Sequence, residues 1–152
     1  MEKLNLNIEH LYDRGQDDYT LYNRLLHGDE VGMHYGFWEK DTESLLDAQQ
    51  NENEYVKLKL NLGPNDKILD AGCGIGGVMF FLAEHYGISV TGITISSEQV
   101  KKGQKIAEQK SLQTLLKFIK QDYHKTEFSN DSFGKIYAVE SADAANPVIS
   151  FL

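Results

Sequence analysis

Apolar residues recur along this chain in two rhythms, one of three to four residues and one of short, nearly unbroken runs, and their alternation outlines a fold. From Glu2 to His27, Leu4, Ile8, Leu11 and Tyr12, then Leu21, Leu25 and Leu26 beyond the polar break Asp13 to Asp18, predict one or two short helices. Gly28 to Asp41 has three glycines, several rings and no helical period, which predicts a structured loop. Glu43 to Leu60 returns to helical spacing, with Leu45, Leu46, Ala48, Gln49, Tyr55, Val56 and Leu60 on broadly one side, and Gly63-Pro64 stops it. Beyond that point short apolar runs at Lys67 to Leu69, Ser89 to Thr94, Leu115 to Ile119 and Phe133 to Val139 predict strands. Between them, Val78 to about Tyr86, with Gly87 as its cap, and Ser96 to about Lys110, with Ser96 and Gln99 as a capping box, predict helices. Strands separated by helices at this spacing predict an α/β fold: a Rossmann-like parallel sheet of about four strands behind an N-terminal helical cap.

Two units follow, residues 1–62 as the cap with its aromatic loop and residues 63–152 as the core. A chain of 152 residues, 41% hydrophobic, can bury a core of its own. No apolar run approaches the roughly 20 residues of a spanning helix, and the start Met1-Glu2-Lys3 lacks the order of a signal peptide, so a cytoplasmic protein without stable membrane insertion is expected. The net charge of −8 argues against a nucleic-acid partner, because affinity for phosphate backbones rests on clustered lysine and arginine. The acidity concentrates in residues 1–60, with 13 of the 23 acidic and 6 of the 15 basic side chains, and is read as a solvated face. No metal-ligating pattern stands out, and the single cysteine, Cys73, reads as a small space-filling residue, with a nucleophile as the alternative.

The candidate chemistry lies between the first strand and the helix after it, at Asp70-Ala71-Gly72-Cys73-Gly74-Ile75-Gly76-Gly77. Strand, glycine loop and helix start let backbone approach a ligand closely and present unpaired N–H groups to it. Gly72, Gly74 and Gly77 also satisfy G-x-G-x-x-G, so a dinucleotide has to be weighed. Asp70 argues against it, since a pyrophosphate would meet a negative charge at the strand end, whereas a sulfonium would be favoured there.

Asp70 to Gly76 resembles the first motif of the class I S-adenosylmethionine-dependent methyltransferases, in which the acid lies near the methionine part of the cofactor and the glycines line it. Met33-His34-Tyr35-Gly36-Phe37-Trp38-Glu39 is similar to the segment before the core in the cyclopropane-fatty-acid synthase, sterol and tocopherol methyltransferase group. The resemblance implies that His34 and Tyr35 meet the methionine end of the cofactor, although Met33 stands where the cyclopropane synthases have a tyrosine. The bland reading of Tyr35, Phe37 and Trp38 is that their rings fold the cap onto the core. Thr91 to Gln99 is similar to the same group, with Thr94 where a generic Rossmann domain has an acid, and this implies that Thr94, Ile95 and Gln99 hold the ribose. Asp122 matches the acid that bonds the adenine amino group, and Tyr123 is its neighbour at the ring.

S-adenosyl-L-methionine, with S-adenosyl-L-homocysteine as product, is thus the expected cofactor, and methyl transfer to a small-molecule, lipid or terpenoid acceptor the expected reaction. Ala144 stands where the sterol and tocopherol type have a histidine after the acid matched by Asp143, so a base, if the acceptor needs one, is sought at Glu140 and Asp143. The resemblance covers only the first half or so of a seven-stranded core. A raw fourth strand and the apolar end Val148 to Leu152 predict association, for instance a homodimer through that region. The alternatives are a cofactor-binding fragment without turnover and a dinucleotide-binding oxidoreductase.

Overall fold

A computed structural model describes residues 34–142. The expected helices of Glu2 to His27 and the apolar end at Val148 to Leu152 lie outside them.

The first helix, α1 (Leu45–Lys59), begins because Ser44 and Asp47 cap it reciprocally: Ser44 Oγ accepts from the Asp47 N–H at 3.1 Å and Asp47 Oδ2 accepts from the Ser44 N–H at 3.0 Å. It ends at Leu60, and the chain turns through Asn61 into Gly63-Pro64. Its buried residues are Ala48, Gln49, Glu52 and Asn53, while Tyr55 and Leu58 face outward. The stripe expected from spacing is therefore the inward face only in part: Ala48 and Gln49 are buried and Val56 and Leu60 pack on the core, but Tyr55 points out while Glu52 and Asn53 point in. Neighbouring elements set the helix's rotation, and they hold its polar side in.

Strand β1 (Ile68–Ala71) is buried throughout and runs further toward the glycines than expected. Helix α2 (Gly77–Tyr86) follows with Gly76 as N-cap and Gly87 as C-cap, both with left-handed backbone, which only glycine adopts at little cost. Then come β2 (Val90–Thr94), α3 (Ser97–Gln109), β3 (Leu116–Lys120) and β4 (Lys135–Tyr137). The fourth strand is shorter than the hydrophobic run Phe133 to Val139. Its partner offers only three positions, Ile68 to Asp70 opposite Lys135 to Tyr137, and Glu140, with φ of 46°, bends the chain away soon after.

All pairings are parallel, in the order β3-β2-β1-β4. The chain first winds outward from β1 through β2 to β3, then crosses back to pair on the other side of β1. This reversal opens a crevice at the carboxyl ends of β1 and β4, where open parallel sheets hold ligands. Lys135 pins the returning strand: its ammonium donates to Asp66 Oδ2 at 2.7 Å and to the Asn61 carbonyl at 2.6 Å. Asp66 also caps the Gly63 N–H, and the Lys135 hydrogen bond holds its carboxyl below the usual carboxylate range.

Phe118 of β3 fills the gap between α2 and α3 because two neighbours lack side chains. A Cβ at Gly103 would lie 2.5 Å from the Phe118 ring, and one at Gly76 would lie 2.7 Å from it. Gly103→Ala should therefore destabilise the protein by about 1–3 kcal/mol, against the gain of up to about 1 kcal/mol that alanine brings to an open helix position. Urea unfolding of the two forms measures the sign.

Candidate active site

Asp70 is the last polar group on β1 before the glycines and is 3% exposed. Its partners in register are Gly92 on β2 and Tyr137 on β4, so one side of it has no side chain and the other has a phenol. Burial pushes its carboxyl up to about 7; the Tyr137 hydroxyl and the nearby His34 pull the other way. That hydroxyl is itself buried and makes no hydrogen bond of full geometry, so its pull is a weak one. A carboxylate held so far from water favours a cation arriving beside it.

The glycines divide their work. A Cβ at Gly72 would strike Ser141 at 2.5 Å, and Gly76 packs on Phe118, so these two serve close packing. Gly74, with φ of 57°, has nothing within 4 Å of such an atom and presents bare backbone to open space. Cys73 is buried, with its thiol pushed well above its ordinary value by burial and by Asp70, and packs on Gly92. That is the space-filling role, and no thiolate forms there near neutral pH.

At the end of β2 the Thr94 hydroxyl donates to Gln99 Oε1 at 2.5 Å, and Ser96 Oγ accepts from the Gln99 N–H at 3.2 Å. The Ser96 N–H in turn reaches Thr94 Oγ1 at 3.3 Å. The loop Thr94-Ile95-Ser96 is thereby fixed, with Ile95 half-buried within it. At the end of β3, Asp122 Oδ1 accepts from the His124 N–H at 2.9 Å and lies 2.8 Å from His124 Nδ1. Tyr123 donates its hydroxyl to the Ser141 carbonyl at 3.0 Å, and Ser141 Oγ donates to the Ala71 carbonyl at 2.7 Å. One clasp joins the loops after β1, β3 and β4.

The aromatic segment arrives from the far end of the chain. The Tyr35 N–H donates to Glu140 Oε1 at 2.9 Å, Gln49 Nε2 donates to the His34 carbonyl at 2.7 Å, and the Phe37 N–H donates to the Ala48 carbonyl at 2.8 Å. Gly36 makes this approach possible, since a Cβ there would lie 2.3 Å from Ala48 backbone. Backbone bonds do the anchoring. The rings do not: Tyr35 is 80% and Trp38 59% exposed, so the bland reading of rings burying themselves on the core fails for these two.

The family model described as mycolic acid cyclopropane synthetase matches residues 2–147. The chain belongs to this family. It is 38% identical over 138 residues to the cyclopropane-fatty-acyl-phospholipid synthase of Escherichia coli K12, covering 90% of this chain and 32% of that protein. It is 30% identical over 115 residues to the sterol 24-C-methyltransferase of Pneumocystis carinii, covering 76% of this chain and 30% of that one. This member of the family thus spans about a third of the length of the curated relatives it matches. Among solved structures it resembles the [4+2]-cyclase SpnF, with a TM-score of 0.86 and 24% identity over 97% of this chain and 53% of that one. It also resembles the geranyl diphosphate C-methyltransferase of Streptomyces coelicolor A3(2) in complex with S-adenosyl-L-homocysteine, with a TM-score of 0.62 and 22% identity over 71% and 46% of the two chains. At these identities the structural likeness shows the fold.

Of the residues expected at the site, His34, Tyr35, Asp70, Ala71, Gly72, Cys73, Gly74 and Glu140 gather at the β1/β4 crevice, while Thr94, Ile95 and Gln99 close β2 and Asp122 and Tyr123 close β3. Asp143 lies outside the described residues. Glu140 holds the Tyr35 backbone, a role that nothing in its sequence context signals. Tyr137, Ser141 and Glu52 went unnoticed in sequence; only Tyr137 carried a clue, being in the strand that must lie beside β1. Among the described residues no cluster of three or more His, Cys, Asp or Glu is placed to hold a metal ion.

The raised carboxyl of Asp70 has a measurable consequence. Below about pH 4 the group is neutral both folded and unfolded and costs nothing. Between about 4 and 7 the unfolded chain loses the proton first, so stability falls as pH rises, and above about 7 the full penalty is present. Asp70→Asn should match wild type at low pH and exceed it above pH 7, by about 4 kcal/mol at most. Denaturant titrations at pH 4 and pH 8 compare the two.

Proposed function

We propose that this chain binds S-adenosyl-L-methionine in the β1/β4 crevice and takes part in methyl transfer to a small lipid or terpenoid acceptor. The observation that carries the reading is a buried carboxylate, Asp70, beside a stretch of bare backbone at Gly74, at the one reversal in the strand order. The names of the relatives support it: one acts on fatty-acyl phospholipids, another on sterols. Neighbouring solved structures hold S-adenosyl-L-methionine or its homocysteine product.

The residues present suit that cofactor part by part. Asp70, with His34 and Tyr35 nearby, would face its methionine end; Ala71, Gly72, Cys73, Gly74 and Gly76 shape the loop against which it lies. Thr94, Ile95 and Gln99 would receive the ribose, and Asp122 and Tyr123 the adenine. When bound, the cofactor supplies an electrophilic methyl on a positive sulfur, which an acceptor attacks in line. The chain's share is orientation and exclusion of water. Glu140 serves first as the tie to Tyr35; it and Asp143 act as a base only where the acceptor must lose a proton.

A second reading, cofactor binding without turnover, is favoured by Ala144 standing where the sterol and tocopherol type have a histidine. A dinucleotide oxidoreductase is disfavoured by Asp70 and by Thr94 in place of an acid at the end of β2. A cytoplasmic setting goes with the first reading and suits the unpaired thiol of Cys73. Among the described residues no helix is long and apolar enough to cross a membrane. We also propose that the chain self-associates through β4, where Ile136 is 55% exposed at the sheet edge.

Calorimetric titration should show binding of S-adenosyl-L-homocysteine and none of NAD; the reverse would remove the reading. Gly74→Ala should cost about 1–2 kcal/mol of stability, the strain of a left-handed residue with a Cβ, yet weaken S-adenosyl-L-homocysteine at least tenfold. Sedimentation should find a dimer of the 152-residue chain that Ile136→Lys converts to monomer; a wild-type monomer would remove the association.

A further inference from the structure

The inner face of α1 is polar where a helix that merely covers a sheet would be apolar. Gln49, Glu52 and Asn53 are all buried there. Gln49 has a task, the His34 carbonyl. Glu52 has a looser one among the described residues: its side chain is 7% exposed, its Oε2 makes no hydrogen bond of full geometry, and His34 Nδ1 lies 3.3 Å from that oxygen. Burying a carboxylate with so loose a partner is far costlier than burying a leucine, which makes a role beyond packing worth seeking. His34 in turn lies near Asp70. Glu52, His34 and Asp70 thus run from the helix into the crevice, with Gln49 and Asn53 on α1, Tyr137 and Glu140 on or after β4 and Cys73 in the glycine loop among the polar or titratable groups near them.

We infer that Glu52 is a positioning residue, which holds His34 by Nδ1, sets the tautomer protonated there, and leaves Nε2 as an acceptor that joins Asp70 in receiving the α-ammonium at the methionine end of the cofactor. A carboxylate against one ring nitrogen fixes which nitrogen carries the proton and how the ring is turned. An ammonium brings three donors, more than one carboxylate satisfies, so a second acceptor beside Asp70 has a use. The inference rests on the cofactor reading above and assigns a residue that neither the glycine motif nor the aromatic segment contains.

The test compares two ligands on the full chain. S-adenosyl-L-homocysteine has the amino-acid end; 5′-methylthioadenosine shares its adenosine and thioether but lacks that end. Glu52→Leu should lose about tenfold in affinity for the first and less than about twofold for the second. Glu52→Gln, which keeps an acceptor for Nδ1–H, should recover most of the loss. Equal losses for both ligands, no loss for S-adenosyl-L-homocysteine, or no recovery by glutamine would overturn the inference and leave the cofactor reading standing. Absence of S-adenosyl-L-homocysteine binding by wild type would instead overturn that reading, and the inference with it. Should the leucine variant not fold, ring 15N spectra of wild type decide. A proton on His34 Nδ1, with an Nε2 signal that moves on adding S-adenosyl-L-homocysteine, supports the assignment; a proton on Nε2 overturns it.

Discussion

A carboxyl group without water is unfavourable when charged, and the architecture keeps one at the point where its chain reverses direction across the sheet. Asp70 sits between a glycine on β2 and a tyrosine on β4, at the head of a loop that exposes backbone. Burial of that group sets the demand, and the Tyr137 hydroxyl and His34 supply partial compensation. Its raised titration is the signature of a site with an unmet electrostatic demand, and a compact cation meets it.

The walls of the crevice are held by bonds between distant parts of the chain, and each depends on a small or polar residue whose importance is invisible locally. The clasp of Tyr123, Ser141 and Ala71 needs Gly72 to leave room for Ser141. The aromatic segment needs Gly36 to lie flat on α1. Family membership explains why such a scaffold recurs, but the scaffold does not dictate a reaction, since proteins named as a cyclase and as a methyltransferase share it.

Much of this could be read from residues in order. The helix boundaries followed from caps: Ser96 starts one helix and Gly87 stops another by local hydrogen bonding, which sequence reports directly. The glycine loop and its acid were legible because backbone conformation and charge are properties of single residues. The inward face of α1 was legible only in part, because its rotation is also set by groups elsewhere, among them His34 and the Phe37 N–H, which bring Glu52 and Asn53 in with Ala48 and Gln49. Not legible were the short β4, whose length depends on what β1 offers, and the tie made by Glu140, whose partner is 105 residues away. Spacing sees neighbours along the chain; the crevice is built from neighbours across it.

That separation has a consequence for how the molecule forms. The wall closed by Tyr35 and Glu140 joins residues 105 apart, whereas the glycine loop and the Thr94–Gln99 turn are each local to one strand end. Closing so long a loop slows folding more than it costs stability, because its entropy must be lost before the contact is made. That wall is therefore completed only when the returning strand docks, whatever the glycine loop has already formed.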